Sequence, residues 1–153
     1  MLLIMKRFSE VNISQIRAVY DQTIKNMAED LFAQDLRDFF LIPGGRLFVL
    51  DINGAVVSAL RAEPYLDGVL FSWLETKPNQ RGRGYGNMLV AAALKHLKEQ
   101  GIRCVYSHIG KNNAASIAVH RANGFSMSAD YAKLLDGTVS RNYYTFQYNS
   151  TAQ

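Results

Sequence analysis

Cysteine is all but absent: Cys104 is the only one in 153 residues. That excludes an internal disulfide framework and a cysteine-built metal cluster, and no metal is expected. So little cysteine fits a reducing compartment, and a cytoplasmic location is expected. Proline is scarce, at three residues, and no Pro- or Ser-rich linker or internal repeat divides the chain. No stretch approaches the roughly 20 apolar residues of a membrane-spanning helix. The apolar start, Met1-Leu2-Leu3-Ile4-Met5, ends at Lys6-Arg7. It is too short for a signal peptide and lacks a cleavage pattern. Basic charge is also modest. The net formal charge is +4 with no Lys/Arg run, which speaks against nucleic-acid binding while suiting a small anionic ligand.

What is present is enough for one core. Hydrophobic residues make up 48% of the chain, and the length suits a single domain over residues 1–153. A polar end at Asn149 to Gln153 is expected to fray. Leu2 to Phe8 reads as a strand. Ile13, Ile16, Val19, Tyr20 and Ile24 recur at helical spacing, predicting a helix from Asn12 to about Met27. A second helix is predicted from Glu29 to Phe40, broken by Pro43-Gly44-Gly45. Arg46–Ile52 and Ala55–Tyr65 read as strands joined at Asn53-Gly54, a two-residue hairpin signal. Val69 to Thr76 is apolar on both faces, which predicts a central strand.

Pro78 ends that strand. The run Arg81-Gly82-Arg83-Gly84-Tyr85-Gly86 then opens a helix that stops at Gly101. Arg103 to Ile109 is a strand. Ala114 to Ala122 is a short helix with Asn112 or Asn113 as cap and Gly124 as stop. Two strands, Tyr131–Leu135 and Arg141–Tyr148, close the chain around Asp136-Gly137. The order predicts an α/β chain of the α+β type. Its central sheet is mixed, mostly antiparallel and about seven-stranded, with helices on both faces.

Two segments carry chemistry. A helix N-terminus presents free N–H groups, and glycines let them approach a phosphate closely. Arg81 and Arg83 add full charge. The candidate donors are the backbone N–H groups of Arg81 to Gly86, with Asn87 at the helix entry. The spacing is neither a P-loop nor a dinucleotide fingerprint. The second segment is Asn113 to Phe125. On a helix Asn113, Ser116 and His120 share one face, beside an apolar stripe of Ala115, Val119 and Ala122.

These two segments, in this order, resemble the GNAT superfamily of N-acetyltransferases. Leu74 to Gly86 is similar to that family's acetyl-CoA motif, R/Q-x-x-G-x-G/A. Asn113 to Phe125 is similar to its second cofactor motif. The resemblance implies transfer of an acetyl group from acetyl-CoA to a primary amine by direct attack, without a covalent enzyme intermediate. It implies that Leu74 and Thr76 offer backbone groups to the pantetheine arm, which enters a splay between the strands at 69–76 and 103–109. Arg81 to Gly86 would hold the pyrophosphate and Asn113 the pantetheine. A small-molecule or amino-acid-like acceptor is expected, and dimerisation is left open.

His120 stands where many relatives carry a Tyr that protonates the departing thiolate. An imidazole has a pKa near ~6.5 and can take that role as imidazolium. A free alkyl ammonium has a pKa around ~10, so a base is also needed. Glu75, late on the central strand, is the expected base, with Glu63 as the weaker candidate. Cys104, His96 and His108 read as structural or solvated. Tyr65, Phe71, Trp73, Tyr143 and Tyr144 read mostly as core, while Phe32, Phe39 and Phe40 lie on the helix expected to shape the acceptor site. The alternative is a non-catalytic acyl-CoA-binding or sensing module, which would keep the glycine loop and Asn113 without a working acid or base.

Overall fold

Asn53 and Gly54 have φ of 53° and 87°, the paired positive angles of a tight hairpin turn. They join β2 (Arg46–Ile52) to β3 (Ala55–Tyr65). From that hairpin the sheet grows both ways. The computed structural model describes residues 1–150. In it β1 (Leu2–Met5) lies antiparallel to β2, and β4 (Gly68–Thr76) lies antiparallel to β3. The chain then crosses through α3 (Tyr85–Glu99) so that β5 (Cys104–Gly110) runs parallel to β4. The seven-stranded order is β1-β2-β3-β4-β5-β9-β6, with β9 at Tyr143–Asn149 and β6 at Ser126–Ala129.

Each face of this mixed sheet is covered. Leu89, Val90, Ala93, Leu94 and Leu97 of α3 pack on Phe48, Leu60, Phe71, Val105 and Phe146 of the strands. On the other face, Ile16 and Val19 of α1 (Ile13–Val19) join Phe32 and Leu36 of α2 (Glu29–Phe40) over Leu47, Val49 and Ala59. The short α4 (Ala114–Ala122) sits beside α3 and starts at an Asn113 cap.

Several expectations need correction. The first helix stops at Val19, although the helical spacing runs on to Ile24. Residues 20–28 form tight turns instead, and two of their side chains bond to β4: Tyr20 to Trp73 and Thr23 to Glu75. Tertiary bonds override a local pattern that is only a weak preference. At the C-terminal end the count of seven holds but one member differs. Ala132–Lys133 and Val139–Ser140 (β7 and β8) form a separate two-stranded hairpin around Asp136-Gly137, and β6 takes the sheet edge. Ser126–Ala129 is mostly exposed, so an edge strand there leaves little apolar signal to read. The expected fraying does not begin at Asn149, which pairs with Cys104. Ser150 donates its N–H to Arg103, and residues 151–153 lie outside the described part.

Candidate active site

β4 and β5 pair only at Val69–Val105, Leu70–Tyr106 and Phe71–Ser107. β4 continues to Thr76 along β3 alone. Beyond Phe71 the two parallel strands therefore part. The cause is a bulge: between the pairs Arg61–Ser72 and Ala59–Glu75, Trp73 and Leu74 together oppose Leu60. Trp73 takes φ of 57°, which costs a bulky side chain about 1–3 kcal/mol. Its surroundings hold it there. The Tyr20 hydroxyl donates to the Trp73 carbonyl at 2.6 Å. The Tyr20 ring meets the indole edge-on at 5.4 Å, and the Arg61 guanidinium lies 4.1 Å over it. Arg61 is in turn paired with Asp35 at 2.6 Å.

The glycine loop faces the same opening. Gly82 and Gly84 have φ of 78° and 80°, angles that disfavour other residues. Gly84 is the N-cap of α3, and it has no side chain to satisfy the helix's first N–H groups. Those of Tyr85, Gly86 and Asn87 remain for a ligand. A cleft of about 550 Å³ joins Leu74, Glu75 and Thr76 to Arg81, Gly82, Gly84 to Asn87, Asn113 and Ser116. The two sequence segments thus line one site. Its size and unspent N–H donors fit an extended ligand with a pyrophosphate, so the residues present suit coenzyme A.

α4 sets the far wall. Asn113 accepts from the Ser116 N–H at 3.1 Å through its side-chain oxygen, leaving its amide NH₂ free to donate. His120 is 1% exposed. Its Nδ1 sits 2.7 Å from the Ser116 carbonyl, so Nδ1 carries the proton and Nε2 the lone pair. Nε2 is buried without a partner among the described residues. Burial holds the imidazole below its usual pKa, only partly offset by the Ser116 bond. The ring edge packs on Phe125 at 4.9 Å.

Glu75 is placed at the cleft, but both of its oxygens are engaged. Thr23 donates to one at 2.7 Å, and Arg81 approaches the other at 3.3 Å. Arg81 also donates to the Gln22 side chain at 2.8 Å and to the Thr76 carbonyl at 3.1 Å. Arg81 therefore braces the loop as well as charging it. Gln22 and Thr23 line the cleft and carried no sequence signal, because they sit where periodicity predicts helix. Glu63 is buried on β3 and absent from the cleft walls, with its carboxyl raised above the usual range by burial. Cys104 is buried at the opposite end of β5, near Gln147.

A family model described as Acetyltransferase (GNAT) family matches residues 13–125. The chain is similar to the L-methionine sulfoximine/L-methionine sulfone acetyltransferase of Pseudomonas paraeruginosa, 38% identical over 52 residues, which is 34% of this chain and 30% of that protein. It is similar to the mycothiol acetyltransferase of Nocardiopsis dassonvillei, 25% identical over 108 residues, or 65% and 32% of the two chains. These matches span about a third of the relatives' own length. Among solved structures, aminoglycoside 6'-acetyltransferase type Ii has a TM-score of 0.78 at 13% identity, covering 100% of this chain and 99% of that one. The PaiA N-acetyltransferase of Thermoplasma acidophilum, in complex with coenzyme A, has a TM-score of 0.69 at 13% identity, covering 98% and 99%. At such identities the likeness is one of fold. The family match takes in the splayed strand, the glycine loop and the capped α4, and the chain belongs to the Acetyltransferase (GNAT) family.

Proposed function

We propose that the chain transfers an acetyl group from acetyl-CoA to the primary amine of a small-molecule or amino-acid-like acceptor, as a single domain over 1–153 working in the cytoplasm. One observation carries this reading: the glycine loop, the parted end of β4 and the polar face of α4 line one continuous cleft. Acetyl-CoA supplies an activated thioester. The N–H groups of residues 82–87 bind its pyrophosphate, with Arg83 adding charge. Leu74, Thr76 and the Asn113 amide hold the pantetheine, beside Ser116. A backbone N–H at the β4 bulge polarises the thioester carbonyl, so that charge developing on oxygen meets a fixed donor. The named relatives whose acceptors are small molecules support an acceptor of that class.

His120 handles the proton that reaches sulfur. Its resting form has no proton on Nε2, so it relays one rather than storing one: Nε2 receives a proton during the attack and passes it to the leaving sulfur. A buried imidazolium with a lowered pKa is a strong donor, which suits it to protonate a thiolate. Glu75 spends one lone pair on Thr23 and one on Arg81, and each oxygen keeps another. Its geometry supports bracing the loop.

Calorimetric titration with acetyl-CoA, followed by free-thiol release against a panel of amines, tests the reading. Binding with amine-dependent thiol release is expected. Binding without release from any amine would favour the sensing module, and absence of binding would overturn the assignment of residues 81–87.

A further inference from the structure

A second cavity, of about 180 Å³, fills the parting between β4 and β5 and shares Leu74, Asn113 and Ser116 with the cleft. Two imidazoles line it, His120 and His108. They approach from opposite faces of the sheet. His120 packs with Phe125 on the α3 side. His108 alternates with Ser107 and Ile109, and its ring meets Tyr65 edge-on at 5.5 Å on the α2 side. Both Nε2 atoms are buried without a hydrogen-bond partner among the described residues. One orphaned nitrogen could be an accident of packing. His96 Nε2 is orphaned too, away from the cavity; what sets His108 and His120 apart is that their rings flank one cavity where the sheet is pried open, and a turn of either ring brings its Nε2 to that space. The space exceeds the ~30 Å³ share of one water, so it can hold bridging water or the end of a ligand.

We propose that His108 is the proton acceptor for the incoming ammonium, with the cavity joining it to His120. This rests on the acetyl-transfer reading above. The acceptor enters from the α2 side, opposite α4. Its ammonium gives one proton to His108 Nε2, directly or through a cavity water. The freed lone pair bonds to the thioester carbonyl carbon and the carbon–sulfur bond breaks. The nitrogen's second proton passes by the cavity to His120 Nε2 and then to sulfur. The amide keeps one N–H, coenzyme A leaves as the thiol, and the His108 proton goes to solvent. Glu75, on the cleft wall, is fixed by Thr23 and Arg81 through its two oxygens; His108 Nε2 has no such tie among the described residues. Burial lowers its pKa, so the acceptor form is the resting one. The ionisable groups around it are Tyr65 of β3, Tyr106 on its own strand, Tyr143 of β9 and His120 of α4. Burial raises the Tyr65 phenol, and the bond to Asp67 raises that of Tyr106, so neither titrates in the range of an imidazole.

The test compares wild type with His108→Gln and His108→Gly, using acetyl-CoA and the best amine of the panel. In His108→Gln, kcat should fall about 10²- to 10⁴-fold, while the calorimetric Kd for acetyl-CoA stays within twofold. The wild-type acidic limb should be replaced by a tenfold rise in kcat/KM per pH unit, up to the pKa of the amine. Imidazole should restore His108→Gly in proportion to its neutral form, a rescue that a structural role would not show. Should the variants fold poorly, long-range ¹H–¹⁵N spectra of wild type must show His108 Nε2 unprotonated at neutral pH, titrating where the kinetic limb falls. A kcat within threefold of wild type with an unchanged profile, or a titration apart from the kinetic limb, would overturn the assignment. Failure of wild type to bind acetyl-CoA or release thiol is read before any variant and would fail the acetyl-transfer reading itself.

Discussion

The hydroxyl of Tyr20 donates to the carbonyl of Trp73 at 2.6 Å, and this bond keeps β4 bulged where it must part from β5. Both partners are sequestered: Tyr20 is 1% exposed and burial pushes its phenol pKa up. Removing the hydroxyl leaves a carbonyl in a left-handed backbone unpaired. Tyr20→Phe should destabilise the chain by about 1–3 kcal/mol, measured by urea unfolding. It should lower kcat more than it weakens acetyl-CoA binding, because it loosens the reacting end of the cleft and leaves the pyrophosphate end alone.

Gly86 offers a sharper separation of folding from binding. A Cβ there would sit at ordinary contact distance, 3.7 Å from Thr76 Oγ1 and 3.8 Å from Val119 Cγ2, both walls of the cleft. Gly86→Ala should stabilise the unliganded chain by about 0.4–1 kcal/mol while weakening acetyl-CoA binding. Gly84→Ala should destabilise by about 1–2 kcal/mol, since φ of 80° suits no other side chain well. Thermal melts with and without acetyl-CoA check both.

The tie between Glu75 and Arg81 makes a prediction about catalysis. Arg81 is partly exposed, so breaking the pair should change stability by less than about 1 kcal/mol. Arg81→Ala should raise the acetyl-CoA Kd about tenfold, with a weaker dependence on salt. Glu75→Gln should lower kcat less than tenfold; a loss of 10² or more would return the base role to Glu75.

Stability should fall on mild acidification. His96, His108 and His120 all have pKa values below 6.5 in the folded chain, burial being the main cause each time. The unfolded chain binds their protons first. Stability is therefore full above about pH 6.5 and is lost as pH drops through the lower folded values. Melting temperatures from pH 7.5 to 5 should decline, and His120→Leu should flatten part of the slope.

Much of this was legible in the sequence, for physical reasons that differ by element. The β2–β3 hairpin was readable because Asn53-Gly54 permits two positive φ angles at once. The start and stop of α3 were readable because Gly84 and Gly101 punctuate an apolar periodic run. The glycine loop and Asn113, both legible as motifs, line one cleft. The bulge was not readable: its positive φ falls on Trp73, a residue with no preference for that angle, and is imposed by Tyr20 and Arg61 from elsewhere in the chain. His108 was likewise opaque, since one histidine in a strand says nothing until the strand beside it turns away.

The segment between α1 and α2 is fastened at several points, by Tyr20 to Trp73, Thr23 to Glu75 and Gln22 to Arg81. A loop that must be ordered when a second substrate arrives spends part of its binding energy on that ordering, roughly 1–2 kcal/mol for each backbone residue fixed. Here much of that entropy is surrendered during folding. The wall this segment gives the cleft is stiff before any ligand binds, so a ligand's affinity should follow its shape and charge rather than its ability to organise the protein around it.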